Sequence, residues 1–167
     1  MDAQETFRYQ EKVASARTEA LFIILSQIFG FLAALRWHQI GLDGWTVACL
    51  LLFLMFLFYC LNYHTLTIRI SAEQLLLQFG IFCWKIPLNT IASCHLDDIS
   101  LWRIGGAGIH FTFIRKKYRA YFNFLEDPRV VIPLKVNRGP VQEIAFTTRQ
   151  PEAVMQLLCP ASPENPS

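Results

Sequence analysis

The sequence predicts an α+β membrane protein: an N-terminal transmembrane helical hairpin followed by a small β-barrel or sandwich of about seven strands, capped by a C-terminal helix. Three observations carry this. Between Ala20 and Tyr63 the only charged residues are Arg36 and Asp43, an apolar density that belongs in lipid. From Thr65 onward apolar and polar residues alternate, the two-residue period of half-buried strands. Near the end, Val154, Leu157 and Leu158 share one helical face behind Pro151, which suits the first turn of a helix because it has no N–H to leave unsatisfied.

Composition agrees with this division. Hydrophobic residues make up 53% of the 167 and charged residues 17%, against roughly 25% charged in ordinary soluble domains. The net charge of +2 is not gathered into a basic stripe, which argues against nucleic acid as a partner. Residues 1–19 read as a short cytoplasmic segment. The first span covers about residues 20–37: its uncharged core, Ala20 to Leu35, is 16 residues long or about 24 Å of helix. Arg36, by snorkelling, and Trp37 extend it into the headgroup region. The second span, 44–63, is long enough unaided, and Trp45 stands at its start as a further interface anchor. A cleaved signal peptide fits less well, because Glu5, Glu11 and Glu19 would occupy a region that should be basic. Arg8, Lys12 and Arg17 precede the first span, one basic residue lies in the loop, and Arg69 and Lys85 follow the second. That bias puts both termini in the cytoplasm of a cell inner (plasma) membrane protein.

The module runs from 64 to 159. Leu66, Ile68 and Ile70 alternate with Thr65, Thr67 and Arg69 in a first strand, and Leu75 to Phe79 makes a second. Gly80 permits reversal into Ile81 to Ile86, which Pro87 ends. Ile91 to Leu96 reads as a fourth strand. Ile109 to Ile114 and Ala120 to Leu125 flank a charged hairpin tip, and Arg129 to Val136 pairs with Val141 to Thr147 across Asn137-Arg-Gly-Pro140. The tail, 160–167, is too polar and proline-rich to pack.

The order of a helical hairpin, Leu66-Thr-Ile-Arg-Ile70, Leu75-Leu-Leu-Gln-Phe-Gly80, Lys85-Ile-Pro-Leu88 and Ile91 resembles the opening of bacterial pleckstrin-homology-like (bacterial PH) domains attached to two membrane spans. Val130-Val-Ile-Pro-Leu134, and then Glu143-Ile-Ala-Phe-Thr-Thr-Arg-Gln-Pro-Glu152 before an apolar helix, is similar to those families' closing strand, turn and helix. The plan is also similar to a group of actinobacterial two-span membrane proteins. The resemblance covers about residues 20–158. It implies a PH-like β domain and no shared catalytic apparatus. Where many such sequences have Asp before the Pro as a helix cap, this one has Gln150, with Thr148 as a substitute.

Cys94, His95, Asp97 and Asp98 have the residue types of a nucleophile, a base and an orienting acid, but neighbours on a strand face opposite ways. A buried thiol beside an outward imidazole is the better reading. Cys83, Cys94 and His95 lack the paired spacing of a zinc site, so no metal or cofactor is expected. Five cysteines in no regular framework are expected to be reduced thiols in the cytoplasm. Gly105-Gly-Ala-Gly108 reads as a tight bend, because no helix with a Lys-Ser/Thr continuation follows it. The basic cluster Arg115, Lys116, Lys117 and Arg119 is the candidate lipid- or partner-binding site. The expected function is therefore non-enzymatic: an assembly or protein-interaction module at the membrane, with a membrane-protein partner or self-association. The alternative is binding of anionic lipid headgroups by the basic cluster.

Overall fold

The computed structural model describes residues 7–159. Two long helices, α1 (Ala16–Ile40) and α2 (Gly44–Asn62), form an antiparallel hairpin. Their mean hydropathies of 1.9 and 2.3, with their lengths, make both capable of crossing a bilayer. Each begins at a side-chain cap that accepts an otherwise orphaned backbone N–H. The Ser15 hydroxyl takes Thr18 N at 3.1 Å, and the Asp43 carboxylate takes Thr46 N at 2.8 Å. The Ser15 cap starts α1 a turn earlier than the predicted span, and the helix runs past Trp37 to Gly41, whose φ of +87° suits glycine. The helices pack through Phe29 on Phe56, ring centroids 5.6 Å apart, and Phe22 on Tyr59 at 5.3 Å.

Residues just before α1 are not a free segment, which corrects the reading of 1–19. Tyr9–Ala14 form strand β1, antiparallel to β2 (Thr65–Ile70), with register from Tyr9 opposite Ile70 to Ala14 opposite Thr65. The stretch escaped the sequence reading because an edge strand tolerates charge: Lys12 lies on the exposed face, and Glu11 shares the other face with Val13, which is fully buried. β3 (Gln74–Phe79) and β4 (Phe82–Pro87) complete a sheet in the order β1-β2-β3-β4. The antiparallel pairing of β1 with β2 places the strands on either side of the helical hairpin at the same end of it.

The second sheet has five strands in the order β5-β8-β9-β7-β6: β5 (His95–Leu96), β6 (Gly108–Ile114), β7 (Lys117–Asn123), β8 (Arg129–Arg138) and β9 (Val141–Thr147). β9 lies parallel to β7 and antiparallel to β8. The two sheets face each other across a core in which Leu66, Ile68 and Phe79 meet Phe122, Phe124 and Phe146, and α4 (Pro151–Leu158) adds Val154 and Leu158. A second, smaller core lies on the outer face of the five-stranded sheet, where Ile99 and Ile104 cover Tyr121, Val131 and Ala145. Ile104 ends the short helix α3 (Leu101–Ile104).

The described residues thus hold nine strands in two sheets, where about seven were expected, and the sheets do not close into a barrel. The predicted fourth strand shrinks to β5 and a single bridge from Ile91 to Leu134, because Leu88–Thr90 forms a helical turn after Pro87. β7 begins at Lys117 instead of Ala120, since the tip of its hairpin is only Arg115-Lys116, both with positive φ. The expectation of five free thiols is corrected too: Cys94, before β5, is disulfide-bonded to Cys159 at the end of α4. A bond between residues 65 apart in sequence is a consequence of tertiary packing that spacing cannot reveal. The tail predicted for 160–167 lies outside the described residues.

Gly80 ties the module to the helical hairpin. Its φ is +50°, and a Cβ there would stand 2.6 Å from the carbonyl oxygen of Asn62. The β3–β4 turn therefore abuts the end of α2, where Phe82 stacks on Tyr63 with centroids 6.1 Å apart.

Candidate functional site

The predicted basic cluster divides: Lys117 and Arg119 join an ion network, and Arg115 and Lys116 stay exposed. Arg119 on β7 is 4% exposed. Its guanidinium donates to Glu143 Oε2 at 2.6 and 2.9 Å, to Asp97 Oδ1 at 3.0 Å and to the Tyr121 hydroxyl at 3.1 Å. Asp97 also accepts from Arg129 Nε at 2.9 Å, and Glu143 from Lys117 Nζ at 2.8 Å. Three cations and two carboxylates thus alternate through Lys117, Glu143, Arg119, Asp97 and Arg129, and Arg129 also donates to the Ile99 carbonyl. This network clamps the 97–101 segment over the smaller core. Burial alone would raise the Glu143 carboxyl, but the bonds from Lys117 and Arg119 outweigh it and hold the group below the usual glutamate range. Burial likewise works against the Arg119 charge, and Glu143 and Tyr121 more than compensate, so its pKa is raised.

Arg115 is exposed and paired with Asp98 at 2.8 Å, which lowers the Asp98 pKa. Lys116, also exposed, has no partner among the described residues. Both sit at the distal tip of the β6–β7 hairpin, whose other end, at Gly108, borders Tyr59 and Tyr63 where α2 ends. Six residues of strand separate tip and base, about 20 Å at the usual rise. The tip thus lies far along β6 from the end where the module meets the helical hairpin. At the opposite end of the hairpin, Arg36 pairs with the helix-capping Asp43 at 2.5 Å, and the Arg36 and Thr46 bonds lower the Asp43 pKa. Trp37 and Trp45 stand exposed on either side of this loop.

Two features were missed by sequence reasoning. One is the free edge of β6. The strand bonds only to β7, and Phe111 and Phe113 on it are 48% and 67% exposed. Phe111 stacks on Tyr118 with centroids 5.9 Å apart and reaches Trp84 of β4 at 6.3 Å. Aromatic alternation signals a strand, but not that one of its faces stays uncovered. The other is the neighbourhood of His110, on the opposite face of β6. Its ring lies parallel to that of Tyr121 at 5.1 Å, and neither ring nitrogen has a hydrogen-bond partner. Burial lowers its pKa.

The Cys94-His95-Asp97 arrangement does not assemble: Cys94 is in the disulfide, His95 points outward, and Asp97 belongs to the ion network. Among the described residues no three His, Cys, Asp or Glu side chains converge where a metal would sit. The glycine run is the expected bend, with Gly105, Gly106 and Gly108 all at positive φ. No protein-family model, curated protein or solved structure matches the chain.

Two of the shifted groups, His110 and Glu143, give a pH dependence with a defined sign. The His110 pKa is depressed, so as pH falls below about 6.5 the unfolded chain takes up the proton first and stability declines. Glu143 is also depressed, and its contribution is present above pH 4.5 and lost as pH falls through its lower folded value. Thermal unfolding of the full chain in detergent should therefore show two acid limbs, with His110→Phe removing the first and Glu143→Gln shrinking the second, to which Asp43 and Asp98 also contribute.

Proposed function

We propose that this chain is a membrane-anchored, non-enzymatic interaction module of the bacterial PH-like kind, whose partner is another membrane protein that docks along the free edge of β6. The observation that carries the reading is the character of that edge. Soluble proteins usually blunt an edge strand with charge, proline or a bulge, whereas Gly108–Ile114 has no Lys, Arg, Asp, Glu or Pro and displays Phe111 and Phe113. Such an edge suits an added strand from a partner, with backbone bonds for affinity and aromatic contacts for selectivity. Arg115 and Lys116, at the end of the edge, favour an acidic residue on the incoming segment. The PH-like assignment rests on the two-sheet module with its C-terminal helix directly after a two-helix hairpin. The anionic-lipid alternative has weaker support, because Arg115, Lys117 and Arg119 are engaged with carboxylates.

A photo-crosslinking residue in place of Phe113 in the full chain in native membranes should give an adduct containing a peptide of another membrane protein. That adduct should vanish with Phe111→Asp. An adduct pattern unchanged by Phe111→Asp would overturn the reading, and a crosslink only to a second copy would replace it with self-assembly through β6.

The side of the membrane follows from Arg8, Lys12, Arg17, Arg69 and Lys85 flanking the module end of the hairpin, against Arg36 at the other. This puts the module in the cytoplasm of the inner membrane. The Cys94–Cys159 bond of the structure runs against this placement, since disulfides are rare in a reducing cytoplasm. Alkylation in intact growing cells tests the side directly: free thiols at both positions support the cytoplasmic placement, and a quantitatively closed bond would place the module on an oxidising side.

A further inference from the structure

The outer face of the four-stranded sheet, turned away from the core, carries charge of one sign. Residues directly opposite in an antiparallel ladder point to the same side. The register therefore sets Lys12 beside Thr67, and Gln10, Arg69, Leu76 and Lys85 in one row from β1 to β4. Their neighbours Val13, Ile68, Leu75, Leu77 and Ile86 alternate to the buried side. Lys12 and Lys85 are exposed. Two more exposed cations border the face: Arg8, whose N–H donates to the Ile70 carbonyl at 2.8 Å, and Arg138, whose guanidinium donates to the Lys85 carbonyl.

None of these cations has a carboxylate partner among the described residues, whereas Arg115, Lys117, Arg119, Arg129 and Arg149 of the rest of the module are each paired with Asp or Glu. Glu73, in the turn between β2 and β3, forms no ion pair among the described residues either. Protein surfaces ordinarily mix both signs, so a face with cations alone is unbalanced. Arg69 shows this most clearly. The Phe7 ring, 5.4 Å from the guanidinium to the centroid, holds it in place but accepts none of its N–H bonds, and its buried Nε has no hydrogen-bond partner. The group is oriented, and its charge is left for something outside the described residues to meet.

The arrangement of the charges selects among anions. The row nearest the helices, Ala14 opposite Thr65, is uncharged. Lys12, opposite Thr67, stands about 7 Å farther from the helices, and the level of Arg69 and Lys85 about 13 Å farther, at the usual rise per residue. Lipid headgroups would be met by cations in the first row, whereas these recede from it. Single-stranded nucleic acid is bound with aromatic rings free to stack on bases, and Phe7 is engaged by Arg69. The step from Lys12 to Arg69 along the sheet is about 7 Å, the distance between alternate side chains of an extended chain. We propose that this face docks an extended acidic segment of a partner protein, its alternate carboxylates meeting Lys12, Arg69 and Lys85. The surface is separate from the β6 edge, which belongs to the other sheet, so the two contacts stand or fall independently.

The test uses the full chain in phosphatidylcholine nanodiscs and, as probe, a fluorescent decapeptide of alternating Glu and Thr at low salt. Its affinity, read by anisotropy, should fall about tenfold when Lys12→Glu and Lys85→Glu are combined. Arg103→Glu combined with Lys135→Glu, the same change in net charge elsewhere on the module, should leave it within about twofold. A carbodiimide, which joins a carboxylate to an amine in contact, should link the peptide to Lys12 and Lys85 in preference to Lys116 and Lys135. No binding, an equal loss in both double variants, or crosslinks mainly to Lys116 at the β6–β7 tip would overturn the proposal. So would a carbodiimide link from Lys12 or Lys85 to Asp2 or Glu5 of the same chain, which would make its own N-terminus the occupant. Phosphatidylglycerol retained by the unaltered chain and lost with Lys12→Glu and Lys85→Glu, without peptide binding, would give the face to lipid instead. Crosslink mapping on the unaltered chain decides the matter even if a variant fails to fold.

Discussion

The pairing of β1 with β2 is the constraint on which the rest of the structure depends. One strand ends at Ala14, one residue before the cap of α1, and the other begins at Thr65, shortly after α2 ends. Their register leaves neither end of the helical hairpin free to move without breaking the sheet. The join is reinforced at the far end of the chain: Glu11 accepts from the Thr148 hydroxyl at 2.6 Å and from Arg149 N at 2.9 Å. Burial, with the hydrogen bond to Glu11 and its charge, pushes the Tyr9 phenol up to about 12. The turn before α4 is thus locked to the strand that leads into α1.

From this attachment follow the positions of the surfaces discussed above. The β3–β4 turn is held against α2 through Gly80. The 105–110 segment faces Leu21 and Phe22 of α1 across a cavity of about 330 Å³. The β6 edge runs away from that junction and carries its charged tip farthest along. A flexible linker would have left all three orientations undefined; a continuous sheet sets them relative to the helical hairpin.

Much of this was legible in the sequence, and what was not shares a physical reason. The helical hairpin, β2, β3, β4, β9 and α4 each satisfy a local rule: an uncharged run, a two-residue alternation, or Pro at a first turn. β1 is stabilised by its partner, and only Val13 announces it. Arg119 reads as a surface charge beside Lys116 and Lys117, yet burial and pairing depend on where Asp97 and Glu143 come to lie, 22 and 24 residues away in sequence. The Cys94–Cys159 bond is likewise a product of packing between distant segments. Local pattern encodes which elements form, while long-range contacts decide which polar groups are satisfied.

The most direct test of this account is hydrogen exchange across residues 8–15 in the full chain embedded in nanodiscs. If β1 is a fixed strand of the module, alternate amides of Tyr9–Ala14 will be protected to the same degree as those of β2, as expected for an edge strand bonded on one side. Exchange of all of them at the rate of an unstructured peptide would contradict it, and with it the rigid attachment on which the cavity and the orientation of the β6 edge depend.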